Sequence, residues 1–549
     1  MCDTMNNTKK SADRCLRVIP LWEFYIYITV HISVVIYILY CVYIASNKYD
    51  GLLNLYDFDA GWSFIAREKD ISNFEWHFFF YFFWSILPWY IAYIAMDWIA
   101  SHHVSAKNRR HVCLLSSVVL LTYILGWKPL LLQFSHCMVM FLVTLLQSKV
   151  AIWILSVLLI STLNFEPFIS WMRALNPDDL EGKSYYILMF TLALVHLRYT
   201  SFCLERVQYF KNSTESKDRN LDSSQQPDMY MERRKEEVNT QEELEYMRFS
   251  FLDAFTYIFY FPLFFTGPII TYDEFSKQMN ESSLKPLGDK KIIFIAFLAL
   301  RIVFWTYFIE FILHFFYFNA LQHNLSVIED MDLWTLAGMG YCQGQFFMVK
   351  YIVMFGIPAV VARICGMDPP AGPKCVAHIY TYSDMWKYFD RGMYSFIKRY
   401  IYIPLGGSQG NFLKKLICSM ACFAFVYIWH GIEYYVFLWT LFNFIGISLE
   451  VLGHWIDKQS VSQQWKQSMP AFYTRLQALI IVPLFIMSVF TAFCFFGGSV
   501  VGYLFYEKFV LQGTLKSWTT VSLILYCCIQ SSMEIHEWHE WHKRKEKKI

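Results

Sequence analysis

Long runs of apolar residues along almost the whole chain constrain the fold of this sequence more than any other feature. About 20 apolar residues in a row form a helix that can cross a bilayer. Of the 549 residues, 56% are hydrophobic and only 17% are charged, which exceeds what one soluble core can bury. The pattern predicts an all-α polytopic membrane protein with about ten to twelve membrane segments. The runs lie at 22–46, 76–100, 111–126, 128–148, 149–165, 184–206, 291–318, 345–364, 416–447, 474–500 and 517–533.

Clusters of basic residues beside these runs predict the orientation of the chain in the membrane. Short segments rich in Lys and Arg stay in the cytosol, so we expect both termini there and an even number of crossings. The first run is long enough to span, which favours a signal anchor over a cleavable signal peptide. The last five residues, KEKKI, are typical of a dilysine retrieval signal and favour the endoplasmic reticulum membrane, or else the Golgi. The cations are Lys9, Lys10, Arg14 and Arg17, then Lys107, Arg109 and Arg110, and finally Lys543 to Lys548.

One charged segment separates an N-terminal half from a C-terminal half. Residues 211–249 are rich in Lys, Arg, Glu, Asp, Ser and Gln, a composition that cannot bury a core. We therefore expect a cytosolic loop there, partly helical. The predicted organisation is an N-terminal transmembrane half (1–210), this loop (211–249), a transmembrane core that holds the chemically suggestive residues (250–533) and a basic cytosolic tail (534–549).

Charge and cysteine usage exclude several classes of function. The net charge of +2 leaves no broad basic surface for nucleic acid. The 14 cysteines are scattered through apolar runs without a CxxC pair. Neither a disulfide framework nor a zinc site is therefore predicted.

Two apolar stretches of the C-terminal half contain residues that interrupt helices. The stretch FPLFFTGP at 261–268 has two prolines and a glycine, and MDPPAGPKC at 367–375 has three prolines and a glycine. Proline breaks a helix because it lacks the backbone N–H and clashes with the preceding turn. Non-helical backbone at membrane depth is tolerated only where protein or a cavity satisfies it. We expect both stretches to form broken or re-entrant helices that line a central chamber.

His430 is the candidate catalytic residue that residue chemistry alone suggests. It lies in the apolar run AFVYIWHG at 424–431, and an ionisable side chain at membrane depth is costly unless it faces a cavity or a partner. Asp390 is a candidate partner, although a lone histidine can also serve structure. Mixed aromatic and basic residues at 383–409 are typical of a segment at the membrane interface. There, Lys398 and Arg399 either bind phosphate or anchor the chain to lipid headgroups.

Four blocks, in this order, resemble the membrane-bound O-acyltransferase (MBOAT) family. They are FFTGP at 264–268, MWKYFDRG at 385–392, RYIYIPLGGSQ at 399–409 and WHG at 429–431. The last block alone is a weak signal, but several blocks in the right order are specific. The resemblance is greatest to the branch of the family that acylates Hedgehog-type secreted proteins.

The resemblance implies a fold, a reaction and site residues. The fold is a bundle of membrane helices, some of them re-entrant, around a central chamber. The reaction transfers palmitate from cytosolic palmitoyl-CoA to the N-terminal cysteine amine of a Hedgehog-type protein in the lumen, with His430 as general base. Asp390 matches an aspartate of that branch where many relatives have asparagine, and Cys375 matches a cysteine that ligates the iron of haem b. Trp386 matches a residue of the acyl-chain path, and Arg399 is expected at the CoA end.

Two other functions remain open on the sequence. One is an enzyme of the same family that acylates a serine hydroxyl or a lipid, which Asp390 argues against because hydroxyl acceptors fit an asparagine better. The other is a non-catalytic relative or a transporter, which the retention of His430 argues against. Cys375 also has a simpler interpretation, since a lone cysteine usually serves packing.

Overall fold

The computed structural model of the chain describes residues 18–176, 182–222, 249–281 and 288–546, which are almost entirely helical. A single pair of two-residue strands, β1 (Phe58–Asp59) and β2 (Lys69–Asp70), is antiparallel and lies between the first two long helices. The α-helices, in chain order, are α1 (Leu21–Lys48), α2 (Phe74–His103), α3 (Ala106–Leu125), α4 (Trp127–Val143), α5 (Lys149–Ser161), α6 (Glu166–Arg173), α7 (Lys183–Asp222), α8 (Phe251–Ile258), α9 (Tyr272–Glu281), α10 (Asp289–Ile312), α11 (Phe318–His323), α12 (Leu325–Asp330), α13 (Leu333–Ile364), α14 (Tyr382–Tyr388), α15 (Arg391–Ile397), α16 (Phe412–His430), α17 (Tyr434–Asp457), α18 (Ser460–Ser468), α19 (Pro470–Tyr506) and α20 (Leu515–Glu546).

The predicted fold class, an all-α polytopic membrane protein, is confirmed. Within the described residues, nine helices are long and apolar enough to cross a membrane. The number rises to ten if the bent pair Lys149–Asn164 and Glu166–Arg173, which meet at 69°, forms one further span. Nine is one fewer than the lower limit of the predicted range of ten to twelve, and ten is that limit. Apolar side chains such as Ile293, Phe297 and Leu300 of α10 are exposed, as expected of a lipid-facing surface.

The predicted run 416–447 is not one span but two helices, α16 and α17, that meet at Gly431. Gly431 has φ +111°, a left-handed conformation that L side chains rarely adopt, so the helix ends at His430. Hydropathy alone did not reveal this turn because apolar residues continue on both sides of it. The turn is important because it places His430 at the end of a helix rather than within one.

The predicted interruption at 261–268 is confirmed, and buried Arg198 explains how it is tolerated. Helix α8 ends at Ile258 and a short 3₁₀ turn follows. The guanidinium of Arg198, on α7, donates hydrogen bonds to the carbonyls of Ile258 and Leu263. The Leu263 carbonyl also accepts the N–H of Gly267 at 3.2 Å, so Arg198 adds to the bonding of non-helical backbone at membrane depth. The expected role was wrong, however: the rings of Phe264 and Phe265 are fully buried, so this stretch packs in the core and does not line a chamber.

The second interrupted stretch, 367–375, is also non-helical, as predicted, and connects α13 to α14. Arg363 holds it by donating to Asp368 Oδ1 at 2.7 Å and to the carbonyl of Pro369 at 3.0 Å. At its far end the Lys374 N–H donates to the carbonyl of Tyr388 at 3.1 Å. The stretch is thus fixed at both ends.

The structure describes the first part of the charged segment, and that part is helical. Helix α7 continues to Asp222, so residues 211–222 are helical, and residues 223–248 lie outside the described residues. At the other end of the chain, α20 continues without interruption to Glu546. The predicted tail at 534–546 is therefore part of the last helix, and residues 547–549 lie outside the described part. The domain boundaries remain predictions.

A bend in α19 completes the framework of the site. Gly498 has φ 76° and ψ 178° inside this helix, so the chain turns there between two helical segments. The turn follows Phe495 and Phe496, whose rings lie against each other at 5.6 Å between centroids. The bend therefore ends the helical segment that carries both rings.

Candidate active site

His430 is the last residue of α16, and residues on both sides of it in the chain are held by hydrogen bonds. Trp429 Nε1 donates to the carbonyl of Ala193 at 3.1 Å, and the Ile432 N–H donates to Asn164 Oδ1 at 3.0 Å. The glycine of the Trp-His-Gly block supplies the positive φ that ends the helix. This block therefore has a local structural reason: it terminates a spanning helix and fixes the position of the imidazole.

Three aromatic rings surround the His430 imidazole. The ring centroids of Trp429, Trp439 and Phe495 lie 4.8, 5.2 and 5.9 Å away, each nearly perpendicular to the imidazole. The residue is nevertheless exposed. No hydrogen-bond partner reaches its ring nitrogens from residues 18–176, 182–222, 249–281 or 288–546. The imidazole is thus accessible, oriented by rings, and free to exchange a proton.

Asp390 caps the N-terminus of α15. Its Oδ1 accepts the N–H of Met393 at 2.8 Å, and the residue is half-buried. Burial raises the pKa of this carboxyl above its usual range, although the backbone N–H groups of Met393 and Gly392 act in the opposite direction. One oxygen is committed to the helix cap, so the other remains available to a ligand.

Two of the sequence blocks pack directly against each other beside Asp390. A Cβ atom on Gly392 would lie 2.3 Å from the carbonyl oxygen of Ile269 and 2.9 Å from its nitrogen. Only glycine leaves room for this approach between the FFTGP and MWKYFDRG blocks. The glycine that follows Asp390 therefore positions the start of α15 against the core.

Asp390 and His430 lie on two sides of one aromatic cluster and are not bonded to each other. Across the described residues no hydrogen bond or ion pair joins the two. Phe389, which precedes Asp390, stacks on Phe347 at 5.1 Å, and Phe347 contacts Phe495 at 5.8 Å. Phe495 in turn contacts the imidazole. Asp390 and His430, the predicted partners, therefore lie beside the same cluster of aromatic rings and do not contact each other directly.

Trp386 lies one ring away from His430. Its Nε1 donates to Asn443 Oδ1 at 2.9 Å, and its ring lies 5.5 Å from that of Trp439 and 5.0 Å from that of Phe423. Asn443 itself donates to the carbonyl of Trp439 at 2.8 Å. These contacts form an aromatic wall beside the imidazole, and the role of Trp386 in the acyl-chain path stays a prediction.

Arg399 is already paired with acidic side chains. Its Nε lies 2.5 Å from Glu205 Oε1 and its Nη2 lies 3.3 Å from Asp273 Oδ2. Burial is the largest single influence and disfavours the charged form, but the hydrogen bond to Glu205 and the nearby negative charges of Glu205 and Asp273 together raise the pKa of Arg399. Its predicted role at the CoA end stays a prediction, and phosphate groups would have to compete with both carboxylates.

Cys375 has an exposed thiol at the edge of an apolar cavity. The cavity has a volume of about 300 Å³ and lies between α1, α13, α19 and α20, and its lining includes Val376 and Ala377, which follow Cys375 in the chain. Few polar groups line it, among them His31 and Tyr341. In the part of the chain that the structure describes, no group of three or more His, Cys, Asp or Glu side chains is arranged to hold a metal ion.

Sequence reasoning missed one buried group of polar residues near the site. Lys350 of α13 pairs with Glu75 of α2, and Tyr351 donates to the same carboxylate. The signal was present, since Lys350 interrupts an apolar run and Glu75 begins another. Neither residue was selected from the sequence, because a single charged side chain near an apolar run is usually an anchor at the membrane interface.

The spanning helices define a multi-pass membrane protein. The model of the MBOAT, membrane-bound O-acyltransferase family matches residues 141–491, more than half of the chain. The chain belongs to that family and is a membrane-bound acyltransferase. The resemblance stated from four short blocks is thereby confirmed.

Three relatives align with most of the chain. It is 29% identical over 515 residues to protein-cysteine N-palmitoyltransferase HHAT of Mus musculus, covering 93% of this chain and 97% of the relative. It is 27% identical over 522 residues to protein-cysteine N-palmitoyltransferase Rasp of Drosophila melanogaster, covering 93% and 94%. It is 26% identical over 413 residues to the protein-cysteine N-palmitoyltransferase HHAT-like protein of Mus musculus, covering 72% and 71%.

Proposed function

We propose that this protein transfers a palmitoyl group from palmitoyl-CoA to the N-terminal cysteine amine of a Hedgehog-type secreted protein. The observation that carries the proposal is the alignment of two protein-cysteine N-palmitoyltransferases along 93% of the chain. The accessible imidazole at the end of α16 supports it, because amide formation needs a base that accepts the proton of the attacking nitrogen.

His430 is the general base in this proposal. The acceptor nitrogen attacks the thioester carbonyl carbon, a C–N bond forms and the C–S bond breaks. His430 takes the proton that the nitrogen loses and returns it to the leaving CoA sulfur. Asp390 acts on the amine or on its proton, because no contact joins it to the imidazole to orient that ring.

The aromatic wall holds the acyl chain. Each buried methylene contributes about 0.8 kcal/mol, so a long chain binds well along apolar rings without any polar contact. Trp386 lines this path, and its hydrogen bond to Asn443 fixes the ring. Arg399 receives the CoA end, where the phosphates exchange with Glu205 and Asp273 for its guanidinium.

Haem b is the second ligand of the proposal, and the residues beside Cys375 fit it. The exposed thiol of Cys375 would supply the sulfur ligand, and the neighbouring apolar cavity of about 300 Å³ is at the lower limit for a small-molecule site. Bound haem would supply iron ligated by a thiolate. Cys375 would hold that iron, and Val376 and Ala377 would provide apolar surface beside it. Loss of haem absorbance in Cys375→Ala would support the assignment; unchanged absorbance would contradict it.

The endoplasmic reticulum membrane is the proposed location, with both chain termini in the cytosol. The last helix ends in Lys543, Arg544 and Lys545, which fits the rule that basic segments stay in the cytosol. Protease protection of terminal epitope tags in sealed microsomes tests this. Digestion of both tags without detergent supports the orientation, and protection of either tag overturns it.

The acyl transfer is tested with purified full-length protein in detergent. Wild type and His430→Ala are incubated with palmitoyl-CoA and either of two peptides, one with a free N-terminal cysteine and one with that amine acetylated. Transfer that requires the free amine, resists hydroxylamine and is lost in His430→Ala supports the proposal. Transfer to the acetylated peptide or to a lipid would favour a hydroxyl or thiol acceptor and overturn it.

A further inference from the structure

Lys350 is a cation in the middle of a spanning helix. The residue is buried in α13, and its ammonium lies 5.2 Å from the centroid of the Phe347 ring and 5.5 Å from that of Tyr351. A charge at this depth is costly unless it is paired, and such residues usually serve function. Its partner is the carboxylate of Glu75, in the first turn of α2.

Glu75 is held from two sides but remains accessible. Its Oε2 contacts the Lys350 ammonium, and its Oε1 accepts the hydroxyl of Tyr351 at 3.0 Å. An ionised carboxylate can accept about four hydrogen bonds, so these two leave capacity for another donor. The Glu75 side chain is 22% exposed, whereas that of Lys350 is only 4% exposed. A ligand can therefore reach the anion of this pair but hardly the cation.

Glu75, Lys350 and Tyr351 lie against the aromatic cluster that separates Asp390 from His430. The Tyr351 ring is 4.8 Å from Phe347 and 5.8 Å from Phe389, the residue before Asp390. Phe347 is the ring that also contacts Phe495 beside the imidazole. Two rings, those of Phe347 and Phe495, thus lie between the Lys350–Glu75 pair and the candidate base.

A second buried pair of the same composition provides a contrast. Glu310 accepts from the Lys69 ammonium at 2.9 Å and from Trp76 Nε1 at 2.7 Å, so it also has one lysine and one aromatic donor. Its side chain is only 4% exposed. Glu310 and Glu75 therefore have the same kind of partners, and Glu75 differs in the greater exposure of its side chain, 22% against 4%.

We propose that Glu75 binds the N-terminal ammonium group of the acceptor and so selects amine acceptors. The inference rests on the proposed function, because it assumes an amine substrate. An α-amino group has a pKa of about 7.7–8.0 and arrives mostly as the cation near neutral pH, and it releases one proton to solvent before its nitrogen attacks the thioester. Lys350 compensates the charge of the carboxylate, and Tyr351 fixes its direction. A hydroxyl acceptor carries no charge and gains little from this contact.

The test compares three variants of the full-length protein in the peptide acylation assay. In Glu75→Gln the KM for the free-amine peptide is expected to rise about 10-fold to 100-fold, the value of a charge-assisted hydrogen bond. The KM for palmitoyl-CoA should stay within about twofold of wild type. Glu310→Gln is the matched control, which should lower thermal stability and leave the peptide KM unchanged.

A double variant separates substrate binding from ion pairing. Glu75→Gln/Lys350→Gln leaves no unpaired charge, so it carries the test even if Glu75→Gln does not fold. If Glu75 served only to pair Lys350, the double variant would recover the wild-type peptide KM, and the inference would be overturned. A peptide KM that stays high, with an unchanged KM for palmitoyl-CoA, supports acceptor binding.

The outcomes also distinguish the role of Glu75 from the proposed palmitoyl transfer on which it rests. A wild-type protein that transfers palmitate to no free amine overturns both together. A wild-type protein that does transfer it, together with an unchanged peptide KM in Glu75→Gln, overturns only the role of Glu75.

Discussion

His196 and His430 both lie in membrane-spanning helices, but their surroundings differ. His196 of α7 is 1% exposed, its Nε2 is 2.9 Å from Ser156 Oγ and its Nδ1 is 2.5 Å from the Tyr199 hydroxyl. Both of its ring nitrogens are used. His430 is accessible, and among the described residues no partner reaches its nitrogens. An imidazole with both nitrogens bonded stabilises a bundle, whereas an accessible one is able to accept a proton from a substrate.

Replacing His430 should have the largest effect, and on activity alone. His430→Ala is expected to lower the rate of amide formation by about 100-fold to 10,000-fold, the usual contribution of a general base. The melting temperature should hardly change, because no hydrogen bond within the described residues is lost. Single-turnover rates and thermal unfolding in detergent measure the two effects. Activity within about tenfold of wild type would contradict the assignment of His430 as base.

Replacing His196 should have the opposite result, a loss of stability. His196→Leu leaves the buried Tyr199 hydroxyl without its partner, which should lower the free energy of unfolding by about 1–3 kcal/mol. The rate per folded molecule should stay near that of wild type. The control is His196→Leu/Tyr199→Phe, which removes the unpaired hydroxyl and should recover part of the loss in a thermal unfolding assay. A large rate loss in a stable His196→Leu protein would remove the distinction between the two histidines.

The buried carboxyl group of Asp70 extends the same comparison to the effect of pH on stability. Asp70 is 1% exposed and accepts the N–H groups of Asn319 and Ala320 at the start of α11, so it resembles His196 rather than His430. Burial raises its pKa to about 6. The folded protein therefore holds this proton more tightly than the unfolded chain, and stability should fall by about 1 kcal/mol as the pH rises from about 5 to about 7.

The variant Asp70→Asn tests that pH dependence. The amide does not titrate, so the loss of stability across this pH interval should become smaller than in wild type. Thermal unfolding of both proteins over the interval measures the difference. An identical pH slope in the two proteins would show that other groups are responsible.

The smallest expected effect concerns the wall of the site rather than either histidine. Asn443→Leu removes the acceptor of Trp386 Nε1 and should raise the KM for palmitoyl-CoA by about threefold to fivefold, the value of one neutral hydrogen bond. Trp386→Phe removes the donor instead and leaves Asn443 with a spare acceptor. Steady-state kinetics with varied palmitoyl-CoA measure both. A change in the peptide KM without a change in the palmitoyl-CoA KM would place Trp386 on the acceptor side.

Hydropathy was sufficient for the fold class but not for the helix ends. A run such as 291–318 could be recognised because α10 is apolar on all sides, as a helix that faces lipid must be. The turn at Gly431 was hidden inside the run 416–447, because a positive φ at one glycine leaves no trace in hydropathy. Residues 261–268 were correctly predicted as broken, but their burial depends on Arg198, which is distant in sequence.

The sequence indicated which residues belong to the candidate site but not which of them contact one another. His430 and Asp390 could be selected because charge is rare in apolar runs and because the blocks resemble a family. That they share an aromatic wall depends on Phe347 and Phe495, which are ordinary apolar residues in the sequence. Glu75 and Lys350 are far apart in the chain, and only the packing of α2 against α13 shows that they form a pair.

The end of α16 at His430 has an electrostatic consequence. The peptide dipoles of a helix add up to a partial negative charge of about half an electron at its C-terminus, and a cation there gains about 0.3–1 kcal/mol, rising to about 2 kcal/mol where solvent is partly excluded. A proton transferred to His430 therefore arrives where the field of 19 helical residues already favours positive charge. Gly431, by ending the helix at this residue, makes the backbone itself a counter-charge for the imidazolium.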